Sequence, residues 1–425
     1  MASAEPLAEI APLRGVLYDP AKAGPLERVL APPYDVISPA EREALAALSP
    51  YGIVHLILPA GEGNEKYSAA ARRYGEWRAA GILRRDERPA IYRYQQTFAS
   101  RGRTLTRKGF ICGLRLRRFE ERVVLPHERT MSAPKADRLA LSRACRAYFS
   151  QVFGLYSDPA GEAEAAFEPL AGRPPDLEAT TGDGISHQLW RLTDPADQRR
   201  VADVLRQRRV YIADGHHRYE TMLALRDELR AESTGLRSTI EYGSFYLCRM
   251  EDPGLEVLAT HRVVHSLPSF DLPRFLQAAG AFFTAEENAA EDVEAELARR
   301  GAAAPTLGLL HGGRLFFLSL KPGVERRLDV SLLHDLLLER VLGIDRAAQQ
   351  KQTNLRYVKD TAQALREARQ PGVQAVFLLN PTPLADLRAR ADAGEVLPQK
   401  STYFVPKLAS GLVIDPLDPR EEMAG

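Results

Sequence analysis

The sequence predicts a mixed α+β fold, and three observations carry the prediction. Helix-like and strand-like stretches follow one another without regular alternation, which argues against a uniform parallel sheet. Two pairs of β-prone runs, 90–98 with 109–119 and 306–310 with 315–320, flank glycine-containing turns and read as hairpins. The apolar run Arg209-Val210-Tyr211-Ile212-Ala213 leads through Asp214-Gly215 into a helix-like stretch reaching about residue 230, so a strand, a glycine turn and a helix start meet at one point.

The elements follow in chain order. Ala31-Pro32-Pro33-Tyr34-Asp35-Val36-Ile37-Ser38-Pro39 is stiff and extended, and Ser38 with Pro39 starts a helix to residue 48. Residues 66–80 carry Tyr67, Ala70, Tyr74 and Trp77 at the spacing of one helical face. A helix over 135–148, a strand at 152–156 and a surface helix with loop over 158–184 come next. Then come a strand at 187–192, a helix at 198–207, and, past the junction, strands at 243–249 and 256–265. Helices are expected over 270–283, 293–300, 330–342 and 384–393, with a strand at 373–379. A boundary near residue 265 divides the chain into 1–265 and a C-terminal α/β region, 266–425.

Composition narrows the function classes. The chain has 425 residues, 45% hydrophobic and 27% charged, as in an ordinary globular enzyme. Its net charge of +1 offers no bulk attraction to nucleic acid or an anionic membrane. The three cysteines, Cys112, Cys145 and Cys248, are widely spaced and form no C-x-x-C, so neither a disulfide scaffold nor a zinc site is expected. Glu5 and Glu9 interrupt the region where a signal peptide needs an apolar core, and no run is apolar for 18 residues, so a soluble cytoplasmic protein is expected. Only 9 of the 57 basic residues are lysines, and two of them, Lys400 and Lys407, share one short motif.

The glycine junction carries the chemistry. A helix start presents backbone N–H groups and the positive end of a dipole, which favours an anion. His216, His217 and Arg218 add ionisable donors suited to phosphoryl oxygens. Zinc would require ligands on one face, and no H-x-x-x-H or H-E-x-x-H accompanies the adjacent histidines. The alternative is a plain strand–turn–helix junction capped by Asp214. Three further segments are candidates: Asp35 after Pro-Pro-Tyr, which also reads as a turn residue; His127-Glu128-Arg129-Thr130; and Lys400-Ser401-Thr402 with Lys407, which also reads as a polar edge strand. Asn354, Arg356 and Tyr357 are candidates for a substrate pocket, whereas the lone His261, His265 and His311 read as structural.

Ala213-Asp214-Gly215-His216-His217-Arg218-Tyr219-Glu220-Thr221 resembles the hallmark of the DUF1015 family of domains of unknown function. Ala31 to Ser38, Pro126 to Thr130, Pro398 to Phe404, Pro406-Lys407 and Gly411-Leu412-Val413-Ile414 match the same family in order, with Leu397 where methionine is expected. The Gly-x-His-Arg heart is similar to that of the ParB/sulfiredoxin-like superfamily. The resemblance implies a ParB/sulfiredoxin-like nucleotide-binding core elaborated by extra strands and helices. His216 stands where sulfiredoxins place a reactive cysteine, so their chemistry is not expected; Asp214, Gly215, His217 and Arg218 match the free serine kinases.

The resemblance implies a Mg²⁺-dependent phosphotransferase using ATP or ADP, with CTP a further candidate, acting on a small hydroxyl metabolite such as serine. Gly215, His217 and Arg218, with His127 and Arg129, would hold phosphates; Asp35 or Glu128, with His216, would serve catalysis; Glu128 and Asp214 are the metal candidates. Lys400, Ser401, Thr402 and Lys407 would hold the acceptor. Other readings are a ParB-like nucleotide-gated DNA-binding module and a phosphatase at the same site. No clear helix-turn-helix supports the former. The expected partners are a nucleotide and a small molecule, with a homodimer left open, and neither nucleic acid nor membrane.

Overall fold

The structure, a computed structural model, describes residues 8–128, 132–233 and 235–423. The chain forms two compact units, one of Met1–Pro126, Thr130–Glu256 and Pro406–Gly425, the other of His127–Arg129 and Val257–Val405. Both mix helices and strands, in agreement with the expected α+β class.

The first unit is built on a nine-stranded sheet. Its strands lie in the order Val124–Leu125, Val210–Asp214, Val152–Tyr156, Tyr242–Arg249, Arg103–Arg115, Ile91–Ser100, Ser186–Leu192, Leu177–Thr180, with Ile10–Ala11 also pairing with Arg103–Arg115. Val210–Asp214 runs parallel to Val124–Leu125 and antiparallel to Val152–Tyr156. The long hairpin turns on only two residues, Arg101 and Gly102, with φ of 48° and 72°. That left-handed pair matches the twist of the flanking strands. Both strands therefore extend into the segment that the sequence reading left as an Arg/Gly-rich turn. The second ends at Arg115 rather than residue 119, and a 3-10 turn, Phe119–Glu121, follows.

The helices sit close to their expected places. Ser38 caps Pro39–Leu48 reciprocally: Glu41 N donates to Ser38 Oγ at 3.3 Å, and Ser38 N donates to Glu41 Oε2 at 2.7 Å. Glu65–Ala79 buries Ala70, Tyr74 and Trp77, while Tyr67 stays at the rim and donates to Asp137 Oδ1 at 2.6 Å. His216–Leu229 buries Tyr219, Met222, Leu225 and Leu229 against Val210, Ile212, Phe245 and Leu247. Each such side chain contributes about 1.5–3 kcal/mol by leaving water. The junction is thereby fixed from both sides. In 158–184 the structure has a short helix, Glu162–Ala165, and an edge strand, Leu177–Thr180, of which only Ala179 is buried. An edge strand with one buried position shows little alternation to read.

The second unit has a six-stranded antiparallel sheet in the order Phe283–Asn288, Arg314–Leu320, Thr306–His311, Val373–Leu378, His261–His265, Leu355–Val358. Strand alternation feeds two cores, Phe316 and Leu318 on one face, Leu315 and Phe317 on the other. The strand expected over 256–265 is split into Glu256–Leu258 and His261–His265. The helix expected over 270–283 is Leu272–Ala279, ended at Gly280, which leaves Phe283 to open a strand. The apolar helix expected at 330–342 winds as a π-helix over Leu333–Val341, with Leu342 N donating to Leu337 O at 2.9 Å. Among the described residues no helix is long and apolar enough to cross a membrane.

Candidate functional site

The strand Val210–Asp214 and the helix His216–Leu229 meet at Gly215, whose φ is +93°. The strand is bulged beforehand: Ile212 lies opposite Gly154 and Asp214 opposite Phe153. Tyr219 N donates to Gly215 O at 2.9 Å. The amides of His216, His217 and Arg218 therefore precede that intrahelical bond and sit at the positive end of the helix. His216 is buried and His217 half-buried.

The N-cap position of this helix is Gly215, which has no side chain to cap it, and Asp214 stands one residue before. The Asp214 carboxylate is clamped between two cations: Lys407 Nζ donates to Oδ1 at 2.6 Å, and Arg218 Nη2 donates to Oδ2. Arg218 is only 7% exposed and also donates to the Gln151 carbonyl. Its guanidinium folds back over Gly215, so a Cβ there would lie 2.9 Å from Nε and 3.0 Å from Cζ. Conformation and space both demand glycine. The long hairpin fixes Lys407 from the other side. Gln96 Nε2 donates to Lys407 O at 2.9 Å, and the buried Arg107 donates to Pro406 O at 2.8 Å.

The Pro-Pro-Tyr-Asp segment folds to the same place. Burial raises the Tyr34 phenol, Asp35 and Asp214 add to the rise, and Arg218 and Arg138 oppose it. The Arg138 guanidinium lies 4.2 Å from the Tyr34 ring centroid and donates to Ile57 O at 2.7 Å. Burial pushes the Asp137 carboxyl up, but Arg138, Tyr67 and Lys66 outweigh it and hold it at about 2. Asp35 is exposed and makes no hydrogen bond among the described residues. A small cavity of about 40 Å³ opens against Tyr34, Arg138, Tyr148, Arg218, Thr221 and Met222. Arg138, Arg218 and Lys407 stand here among Asp35, Asp137 and Asp214: Asp137 pairs with Arg138, and Asp214 with both Arg218 and Lys407.

In the second unit, His127 and Glu128 meet Ser401 and Thr402. The buried His127 ring bonds the Thr402 hydroxyl through Nε2 at 2.9 Å. Glu128 Oε1 accepts from the amides of Ser401 at 3.0 Å and Thr402 at 3.4 Å. Ser401 Oγ donates to Pro398 O at 2.5 Å, and Lys400 is exposed with φ of 56°. These bonds hold the two motifs together as much as they present them. Arg129 lies outside the described residues. Lys407, grouped with Lys400 in the sequence reading, belongs to the first unit. Asn354 Nδ2 donates to His265 O at 3.3 Å and Ser266 O at 3.0 Å, Arg356 pairs with Glu367 at 2.7 Å, and Tyr357 lines a cavity. His261 bonds Thr361 Oγ1 at 3.0 Å, and all three cysteines are buried.

The sequence reading missed Gln96, Arg107, Arg138 and Gln151 as supports of the junction, and Tyr34 as part of the cavity wall. Arg107 alone carried a usable signal, a charge within a β-prone hairpin. Among the described residues no group of three or more His, Cys, Asp or Glu is arranged to hold a metal.

The model of the family described as "Protein of unknown function (DUF1015)" matches residues 10–331. No curated protein matches the chain. Similar solved structures include a free serine kinase variant in complex with ADP, at 14% identity and a TM-score of 0.38, covering 69% of this chain and 89% of that one. A conserved hypothetical protein from Pyrococcus furiosus is similar at 14% identity and a TM-score of 0.35, covering 67% and 87%. SbnI with a C-terminal truncation, from Staphylococcus aureus, is similar at 12% identity and a TM-score of 0.34, covering 71% and 86%.

Proposed function

Because the chain belongs to the DUF1015 family, whose description names no activity, we propose a function from the residues at Gly215: a nucleotide-using phosphotransferase acting on a small hydroxyl metabolite. The observation that carries the reading is the convergence of Tyr34, Arg138, Arg218 and Lys407 on a strand–glycine–helix junction beside a cavity. The phosphate tail of ATP or ADP lies over the first-turn amides, contacted by His217. Arg218 braces the loop and adds its field from beneath, because its donors already serve Asp214 and Gln151. Lys407 turns from Asp214 toward the phosphate when the tail arrives.

In the transfer, the acceptor oxygen attacks the terminal phosphorus. The new O–P bond forms, the bridging O–P bond breaks, and the shortened nucleotide leaves. The hydroxyl proton passes to Asp35, which is exposed and carries no competing hydrogen bond among the described residues. Glu128, the rival base, already spends Oε1 on two backbone amides.

Mg²⁺ suits this donor set in the form in which substrate phosphates supply most ligands and the protein adds one or two carboxylates. Asp214 is the metal candidate at the junction, and its Oδ1 would reach the ion once Lys407 turns toward the phosphate. When bound, the ion neutralises charge on the transferring phosphoryl group. Serine with ATP, and phosphoserine with ADP, are the first pairs to test, on the strength of the Asp-Gly-x-His-Arg match alone.

The experiment is a thermal-shift screen of ATP, ADP, CTP and GTP with Mg²⁺, followed by phosphorus NMR of serine with the nucleotide that binds. A rise in melting temperature, lost in His217→Ala, supports the reading. No rise with any of the four nucleotides removes it.

A further inference from the structure

The second unit holds a cavity of about 190 Å³ whose wall includes Ser331, His334, Arg346, Gln349, Tyr357 and Gln399. Three of these residues hold the buried Arg262, which is 1% exposed. Arg262 Nε donates to His334 Nε2 at 3.2 Å, Nη2 donates to Gln399 O at 3.3 Å and Lys400 O at 3.0 Å, and the guanidinium lies 5.0 Å from the Tyr357 ring centroid. Nη1 donates to Thr260 O. Every one of these partners is neutral. A buried charge ordinarily has a counter-charge, and no carboxylate lies within ion-pair distance of Arg262 among the described residues. Burial lowers its pKa only to about 10, so the cation persists at neutral pH.

The carboxylate that Arg262 senses is Glu128, which stands beyond ion-pair distance and is held by the Ser401 and Thr402 amides. Because Arg262 Nε donates to His334 Nε2, the His334 proton sits on Nδ1 and points to Gln349 Oε1 at 2.7 Å. The imidazole is neutral, and burial with Arg262 lowers its pKa to about 3. The Tyr357 phenol senses two cations, Arg262 and Lys400, against one carboxylate, Glu128. The two charged residues of the wall are already paired, Asp335 with Arg327 at 2.7 Å and Arg346 with Glu339 at 3.5 Å. One positive charge is left over. On the cavity wall the Ser331 and Tyr357 hydroxyls make no hydrogen bond among the described residues. The wall includes His334 from the π-helical segment, a rare geometry that concentrates at functional sites.

We infer that this cavity binds a small organic acid bearing one carboxylate. The carboxylate balances the charge of Arg262 behind the wall and accepts hydrogen bonds from the Tyr357 and Ser331 hydroxyls. A single carboxylate matches the single left-over charge, which a dianion such as phosphate exceeds. The site stands on the second unit's own residues, so it survives or fails independently of the phosphate reading at Gly215.

The test is isothermal titration of the full chain with monocarboxylates graded from acetate to benzoate, the corresponding primary amides, and inorganic phosphate. At least one acid binds with a Kd of about 1 mM or tighter, and its amide binds at least about tenfold more weakly. Ser331→Trp, which fills the cavity, and Tyr357→Phe, which deletes one hydroxyl, each weaken the acid about tenfold or more while the melting temperature of the unliganded chain stays unchanged. Binding of the amide as tightly as the acid, preference for phosphate, insensitivity to both substitutions, or no binding by any acid in the series each overturns the inference.

Discussion

Replacing Gly215 by alanine separates the two demands the junction makes on that position. The φ of +93° lies on the side of the Ramachandran map that L-residues avoid, which costs about 1–2 kcal/mol for an added Cβ. The Cβ would also stand 2.9 Å from Arg218 Nε and 3.0 Å from Nη2. A guanidinium at the end of a flexible chain can usually step aside. This one is 7% exposed and committed to Asp214 and the Gln151 carbonyl, so moving it breaks a buried pair worth roughly 3–5 kcal/mol on loss of one partner. Urea unfolding followed by tryptophan fluorescence reads the first unit directly, since Trp77 and Trp190 both lie there. The expected loss is at least about 3 kcal/mol in the native background and only about 1–2 kcal/mol when Arg218 has first been truncated to methionine. An equal cost in both backgrounds would show that Arg218 is not the obstacle. A cost below about 1 kcal/mol would show that the loop does not hold this backbone conformation.

Three further outcomes are expected. Asp415 is 5% exposed, and burial raises its carboxyl to about 8, against a smaller lowering by Arg85. Its folded pKa lies above the unfolded value, so native stability falls as pH rises from about 4 to about 8, by up to ~1.4 kcal/mol per pH unit. Asp415→Asn should flatten that fall and be the more stable chain at pH 8; parallel stability–pH curves for the two proteins would refute it. Lys407→Met removes a charged hydrogen bond to Asp214 at 2.6 Å, and should cost about 1.5–3 kcal/mol of stability together with the nucleotide-induced thermal shift; a full shift in the variant would exclude Lys407 from the phosphate site. Asp35→Asn alters an exposed side chain, so stability should change by less than about 0.5 kcal/mol while phosphoryl transfer is lost and nucleotide binding is kept; unaltered turnover would move the proton acceptor elsewhere.

Much of the scaffold was legible because its signals are local. Ser38, Pro39 and Glu41 form a capping box within four residues, and Gly312-Gly313 lie between two β-prone runs in a hairpin. The edge strands at Leu177–Thr180 and Leu355–Val358 escaped notice because a short strand shows too little alternation to read. The junction at Gly215 announced itself through its sequence, yet its electrostatic partners did not. Lys407 reaches Asp214 across 193 residues of chain and Gln151 accepts from Arg218 across 67, and no spacing rule encodes either contact. Arg262 is more instructive still: its strand reads as apolar and β-prone, and only the fold exposes the absence of a counter-charge.

Competition binding at the junction tests the central assignment most directly. Labelled ADP is titrated onto the full chain with Mg²⁺ and then displaced with pyrophosphate or with adenosine. If the diphosphate tail seats on the amides after Gly215, pyrophosphate displaces ADP in the native chain and loses that ability in His217→Ala. Displacement by adenosine but not by pyrophosphate, or no ADP binding at all, would contradict the account.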